Sequence, residues 1–126
     1  MQATIILFIA SGITAIWGIA HLTATRRVVR GFGEISLDNR RIITMEWIVE
    51  GVALLSIAAF VAVATAIDPA SAVSAGVYLA AIASLIALAI VSLFTGFKIA
   101  FLPFRLCPFI FSLSAVLILF GMLLST

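Results

Sequence analysis

Charge is scarce in this chain: Asp, Glu, Lys and Arg make up 10% of its 126 residues, where a soluble domain carries roughly a quarter. That shortage excludes a water-facing globular surface. With 65% of the residues hydrophobic, the solvent is lipid. Cysteine is nearly absent, and a lone Cys107 excludes both an intramolecular disulfide and a CxxC redox pair. A lone histidine, His21, excludes bis-histidine haem ligation unless two chains share the cofactor. Neither HExxH nor ExxH spacing occurs. Lys and Arg outnumber Asp and Glu by 7 to 5, but they sit between apolar segments and do not interleave with exposed aromatics, so nucleic acid is not the expected partner.

What is present is a series of long apolar runs. Residues 4–25, 42–67, 73–100 and 106–124 each suit a membrane-spanning helix, so the chain reads as a single membrane domain over residues 1–126. The first run is about 22 residues, or about 33 Å as a helix, which matches a hydrocarbon core of about 30 Å. It lacks a basic leading segment and exceeds the apolar core of a signal peptide, so it reads as a span. Gly31-Phe32-Gly33 predicts a turn. Ser36-Leu37-Asp38-Asn39 predicts the start of the next helix, with Asp38 or Asn39 as the cap. Asp68-Pro69 closes the second span, and Pro108 is tolerable in the first turn of the fourth. The third run is dense in Ala, with Gly76, Ser84 and Ser92 among them. Because small side chains let helices approach closely in lipid, this predicts a central position for it.

The fold expected is therefore all-α: a four-transmembrane-helix up-and-down bundle. Arg26, Arg27, Arg30, Arg40, Arg41, Lys98 and Arg105 are all the basic residues, and they fall at the first and third connections, on one side of such a bundle. The positive-inside rule makes that side cytoplasmic and both termini external, N-out and C-out. The expected location is a bacterial cytoplasmic membrane.

Ionisable side chains inside spans are costly and mark function. His21 lies five residues before Arg26, and Glu46 five after Arg41, which puts both about 7–8 Å below the same boundary. Glu50 lies one turn deeper. Consecutive antiparallel helices are neighbours, so His21 and Glu46 are expected to face each other. Thr14, Trp17, Gly18, His21 and Thr25 form one stripe of the first helix. Glu46 and Glu50 share a face of the second, with Trp47 beside them, and Ser92, Thr95 and Lys98 approach the same side from the third.

The candidate proton-handling residues are thus His21, Glu46 and Glu50. The candidate ligand contacts are Trp17, Trp47, Thr14, Ser92 and Thr95. The same His21, Glu46 and Glu50 also offer nitrogen and oxygen ligands of a kind that binds metal. Blander readings stand beside these: an Arg40 or Arg41 side chain reaching Glu46 from the interface, tryptophans as interfacial belt residues, and Cys107 as a small buried residue.

Gly18-Ile19-Ala20-His21 at the end of the first span and Met45-Glu46-Trp47 at the start of the second, in a chain of four short spans, resemble small bacterial DoxX-like and related four-helix membrane proteins. That resemblance implies the architecture and no single chemistry. In residue types and membrane placement alone, the His and Glu residues are similar to those of emopamil-binding-type sterol isomerases, where acidic groups and a histidine move protons on a lipid-soluble substrate. Three functions remain open: binding or passing a hydrophobic or protonatable small molecule; serving as a non-catalytic accessory subunit, with other membrane subunits or further copies of the chain as partners; and isomerase or oxidoreductase chemistry on a lipid-soluble substrate. No cofactor is singled out.

Overall fold

The computed structural model describes residues 1–125 as four helices, α1 (Gln2–Gly31), α2 (Leu37–Ile67), α3 (Ala72–Thr95) and α4 (Leu102–Leu123). No strand occurs among the described residues. Each helix is long and apolar enough to cross a membrane. Large apolar side chains such as Ile16, Phe60, Val73, Phe94, Phe109 and Val116 point outward, which suits a bundle dissolved in hydrocarbon rather than water.

The helices run past the apolar segments at the charged end. α1 has 30 residues and α2 has 31; the arginines are good helix formers, and no breaker stands before Gly31. Gly33, at φ +68°, makes the turn that follows. Ser36 rather than Asp38 or Asn39 caps α2, its hydroxyl accepting the Asn39 N–H. α3 stops at Thr95, short of position 100, where the Ser92 carbonyl takes the N–H groups of both Gly96 and Phe97. Pro108 lies inside α4 rather than in its first turn.

α1 packs against α2 and α4, while α3 packs against α4 and more lightly against α2. α1 and α3 thus occupy opposite corners, and α3 is not central. Its small residues Gly76, Ala80, Ala83, Ser84 and Ala87 face outward, whereas Tyr78, Ala81, Leu85 and Ala89 face the core. Alanine density did not reveal which face would be buried.

The α1–α2 contact is made by glycine. A Cβ on Gly18 would stand 3.0 Å from the Gly51 carbonyl, and one on Gly51 would stand 2.8 Å from Leu22. The two backbones therefore touch, as small residues permit in lipid. Hydrogen bonds fasten the end of the bundle away from the arginines: Ser11 to the Ala58 carbonyl at 2.8 Å, Thr65 with Tyr78 at 3.0 Å, and Ser74 to the Ala64 carbonyl at 3.2 Å. At the other end the two polar connections meet, with the Arg27 guanidinium 5.5 Å from the centre of the Phe101 ring. All the basic residues lie at that end.

Candidate functional site

One turn beyond the Gly18–Gly51 contact, α1 presents His21 to the Trp47–Glu50 turn of α2. His21 is 4% exposed. Its Nδ1 lies 2.9 Å from the Trp17 carbonyl; a carbonyl only accepts, so Nδ1 carries the hydrogen. Its Nε2 lies 3.4 Å from Glu50 Oε1 and has no hydrogen-bond partner. Trp47 stacks on the imidazole at 4.9 Å and donates its indole N–H to the His21 carbonyl at 2.7 Å. The Thr25 hydroxyl donates to that same carbonyl. Ring, tautomer and backbone are each held, which leaves Nε2 as the free function of the residue.

The pair borders a cavity of about 290 Å³ lined from all four helices, including Leu88, Ser92 and Thr95 of α3, Gly96 at its C-cap, and Phe104 and Cys107 of α4. Most of its wall is apolar. An adjoining groove between α2 and α3 is lined by Ile43, Glu46, Trp47, Val49, Glu50, Ala53 and Leu88. Cavity and groove have Trp47, Glu50 and Leu88 in common, so Glu50 stands at the threshold between the interior and the flank of the bundle. A smaller apolar recess beside Trp17 shares His21, Trp47, Phe104 and Cys107 with the cavity.

The expected residues divide accordingly. His21, Glu50, Trp47, Ser92 and Thr95 converge on the cavity, and Trp17 lines the recess. The carboxylate that meets His21 is Glu50 rather than Glu46, which is exposed on the groove. Arg41 pairs with Asp38 at 3.7 Å. Thr14 is buried deeper, its hydroxyl bonded to the Ala10 carbonyl, and it lines neither cavity nor groove. Among the described residues no three His, Cys, Asp or Glu side chains gather as metal ligands, so the set His21, Glu46 and Glu50 does not assemble as a metal site.

Cys107 and Phe104 also belong to the site. Their only sequence signal was position: both lie near the start of α4, at the depth of His21. Phe104 packs against Trp47 at 5.1 Å, and Cys107 is 5% exposed with its thiol directed to the Pro103 carbonyl. No family model, curated protein or solved structure matches the chain, and its function is therefore read from the chemistry of this site.

Proposed function

We propose that this protein is a small polytopic inner-membrane protein that binds or passes a hydrophobic or protonatable small molecule at the His21–Glu50 site, in the cytoplasmic half of the bilayer. The observation that carries this reading is a His–Glu contact within a membrane bundle that faces a mostly apolar cavity instead of being sealed by packing. Intramembrane ionisable pairs mark substrate and proton paths, and apolar pockets with a few convergent polar groups are the usual form of a ligand site. The cytoplasmic assignment rests on the basic residues gathered at this end.

Energy transfer from Trp17 and Trp47 to the apolar dye N-phenyl-1-naphthylamine, in nanodiscs, tests the reading. Saturable transfer is expected in the native protein and its loss in Ser92→Phe, which fills the cavity. Undiminished saturable transfer in Ser92→Phe would overturn it.

A second reading, an accessory or self-assembling subunit, is favoured by the outward row of Gly76, Ala80, Ser84 and Ala87 on α3. Small residues at such spacing are what close helix pairing in lipid uses. It predicts that Ala83→Leu with Ala87→Leu abolishes assembly, seen as a change in the mass of the detergent-extracted particle; an unchanged particle rejects it.

A further inference from the structure

The side-chain donors lining the cavity are already committed, and the one free indole N–H nearby, that of Trp17, lies in the adjoining recess. Trp47 Nε1 donates to the His21 carbonyl, Ser92 to the Leu88 carbonyl at 2.7 Å, Thr95 to the Val91 carbonyl at 2.6 Å, and Cys107 to the Pro103 carbonyl at 3.5 Å. The Ser92 and Thr95 oxygens and the Cys107 sulfur are left with lone pairs to offer, and the Trp47 indole with no further donor. Gly96, also in the wall, has its N–H taken by the Ser92 carbonyl. Pro108 has no N–H, so the Phe104 carbonyl receives no bond from the position four residues on, and it lies 3.6 Å from where a Gly96 Cβ would stand. The C-terminal turn of α3 adds the negative end of a helix dipole. Glu50 contributes a carboxylate, Glu46 a second one along the groove, and no Lys or Arg lines either space.

His21 completes the pattern. With its hydrogen on Nδ1, the neutral imidazole presents a lone pair at Nε2, and that atom is buried and unpartnered. Two acceptors 3.4 Å apart, Nε2 and Glu50 Oε1, call for a proton or another cation between them. The apolar remainder of the wall, with Leu88, Val91, Ile99 and Phe104, suits an organic cation better than a hydrated inorganic one.

We propose that the cavity takes a lipophilic ammonium ion, a protonated amine carrying an apolar group, in exchange for the proton shared by His21 and Glu50. This rests on the small-molecule reading above and names the ligand class. The exchange balances: the imidazolium loses its Nε2 proton to solvent, no covalent bond to carbon changes, and the ammonium replaces the imidazolium as counter-ion of the Glu50 carboxylate. The site holds one positive charge before and after. The titratable groups lining the cavity beside His21 are Glu50 from α2 and Cys107 from α4; α3 contributes none. Glu46 stands one turn away on the groove. Binding therefore weakens as the medium is acidified, because the imidazolium of His21 then takes the place of the amine beside Glu50.

The test is calorimetry on the intact protein in zwitterionic nanodiscs, with ligands of similar shape and different charge: 2-phenylethylammonium, propylbenzene and phenylacetate. The ammonium is expected to bind on the order of tenfold or more tighter than either of the others, as a charge-assisted bond to a carboxylate implies. Comparison of two buffers of different ionisation enthalpy is expected to show about one proton released per amine bound. His21→Gln is expected to abolish proton release, while Glu50→Gln loses binding. The ligand series on the native protein decides the matter even where a variant fails to fold. Propylbenzene or phenylacetate binding as tightly as the ammonium overturns the cation inference and leaves the small-molecule reading standing. NaCl alone producing the same heat and proton release also overturns it. Binding of none of the ligands overturns it too, and the dye experiment then judges the broader reading separately.

Discussion

At the scale of single residues, His21 is notable for how completely it is fixed. Its ring is held by Trp17 and Trp47, and its carbonyl receives both Trp47 Nε1 and Thr25 Oγ1. Trp47→Phe keeps an aromatic stack and removes one interhelical hydrogen bond. It is expected to lower stability by about 1 kcal/mol, read as a drop in thermal midpoint in detergent; an unchanged midpoint would show that the bond contributes nothing. Thr14→Val, which deletes a hydroxyl bonded only within its own helix, is expected to leave ligand binding unchanged, and a loss would place Thr14 in the site after all. His21 and Glu50 were legible in the sequence because ionisable groups in lipid announce themselves by cost. Which glutamate meets the histidine was not, because Glu46 and Glu50 share a helical face and only the relative slide of α1 and α2 separates them. Cys107 and Phe104 carry no such signature; a thiol and a benzene ring in an apolar span look like packing until another helix brings a histidine beside them.

At the scale of helices, the apolar runs identified every element, but their ends and faces needed the structure. A hydrocarbon slab limits where charge sits, not where a helix stops, so α1 and α2 continue through their arginines. Small residues likewise report that close approach is possible without saying where it is used: Gly18 of α1 and Gly51 of α2 are at the contact, while on α3 the small residues such as Gly76 and Ala80 face out. Gly51→Leu is expected to force the α1 and α2 backbones apart and destabilise the bundle by about 1–3 kcal/mol, with loss of dye and amine binding. Gly12→Leu, where a Cβ meets nothing within 4 Å, is its control and is expected to fold and bind normally. Equal damage from both substitutions, measured by thermal denaturation and dye transfer, would contradict the role given to the contact.

At the scale of the molecule, the two ends of the bundle differ in kind. One is fastened by hydrogen bonds from Ser11 and Ser74 to backbone carbonyls and between Thr65 and Tyr78, and the other carries the cavity, the groove and the basic residues. The sequence located the charged end and gave no sign of the hydrogen bonds at the other, because isolated hydroxyls in Ala- and Val-rich runs give no pattern until they pair. Orientation is testable directly. In a Cys107→Ala background, Ala70→Cys is expected to react with a membrane-impermeant thiol reagent on intact cells, and Glu34→Cys only after lysis; the reverse pattern would invert the assignment of sides.

The contact between Gly18 and Gly51 also works as a detent. Glu46 and Glu50 are one helical turn apart, so a slide of α2 along α1 by about 5.4 Å would exchange one carboxylate for the other opposite His21. Only at this notch do bare backbones drop together, and they do so in the setting that brings Glu50 to the imidazole. Which acid the histidine meets is thus decided by two absent methyl groups, one of them on the residue next to Glu50.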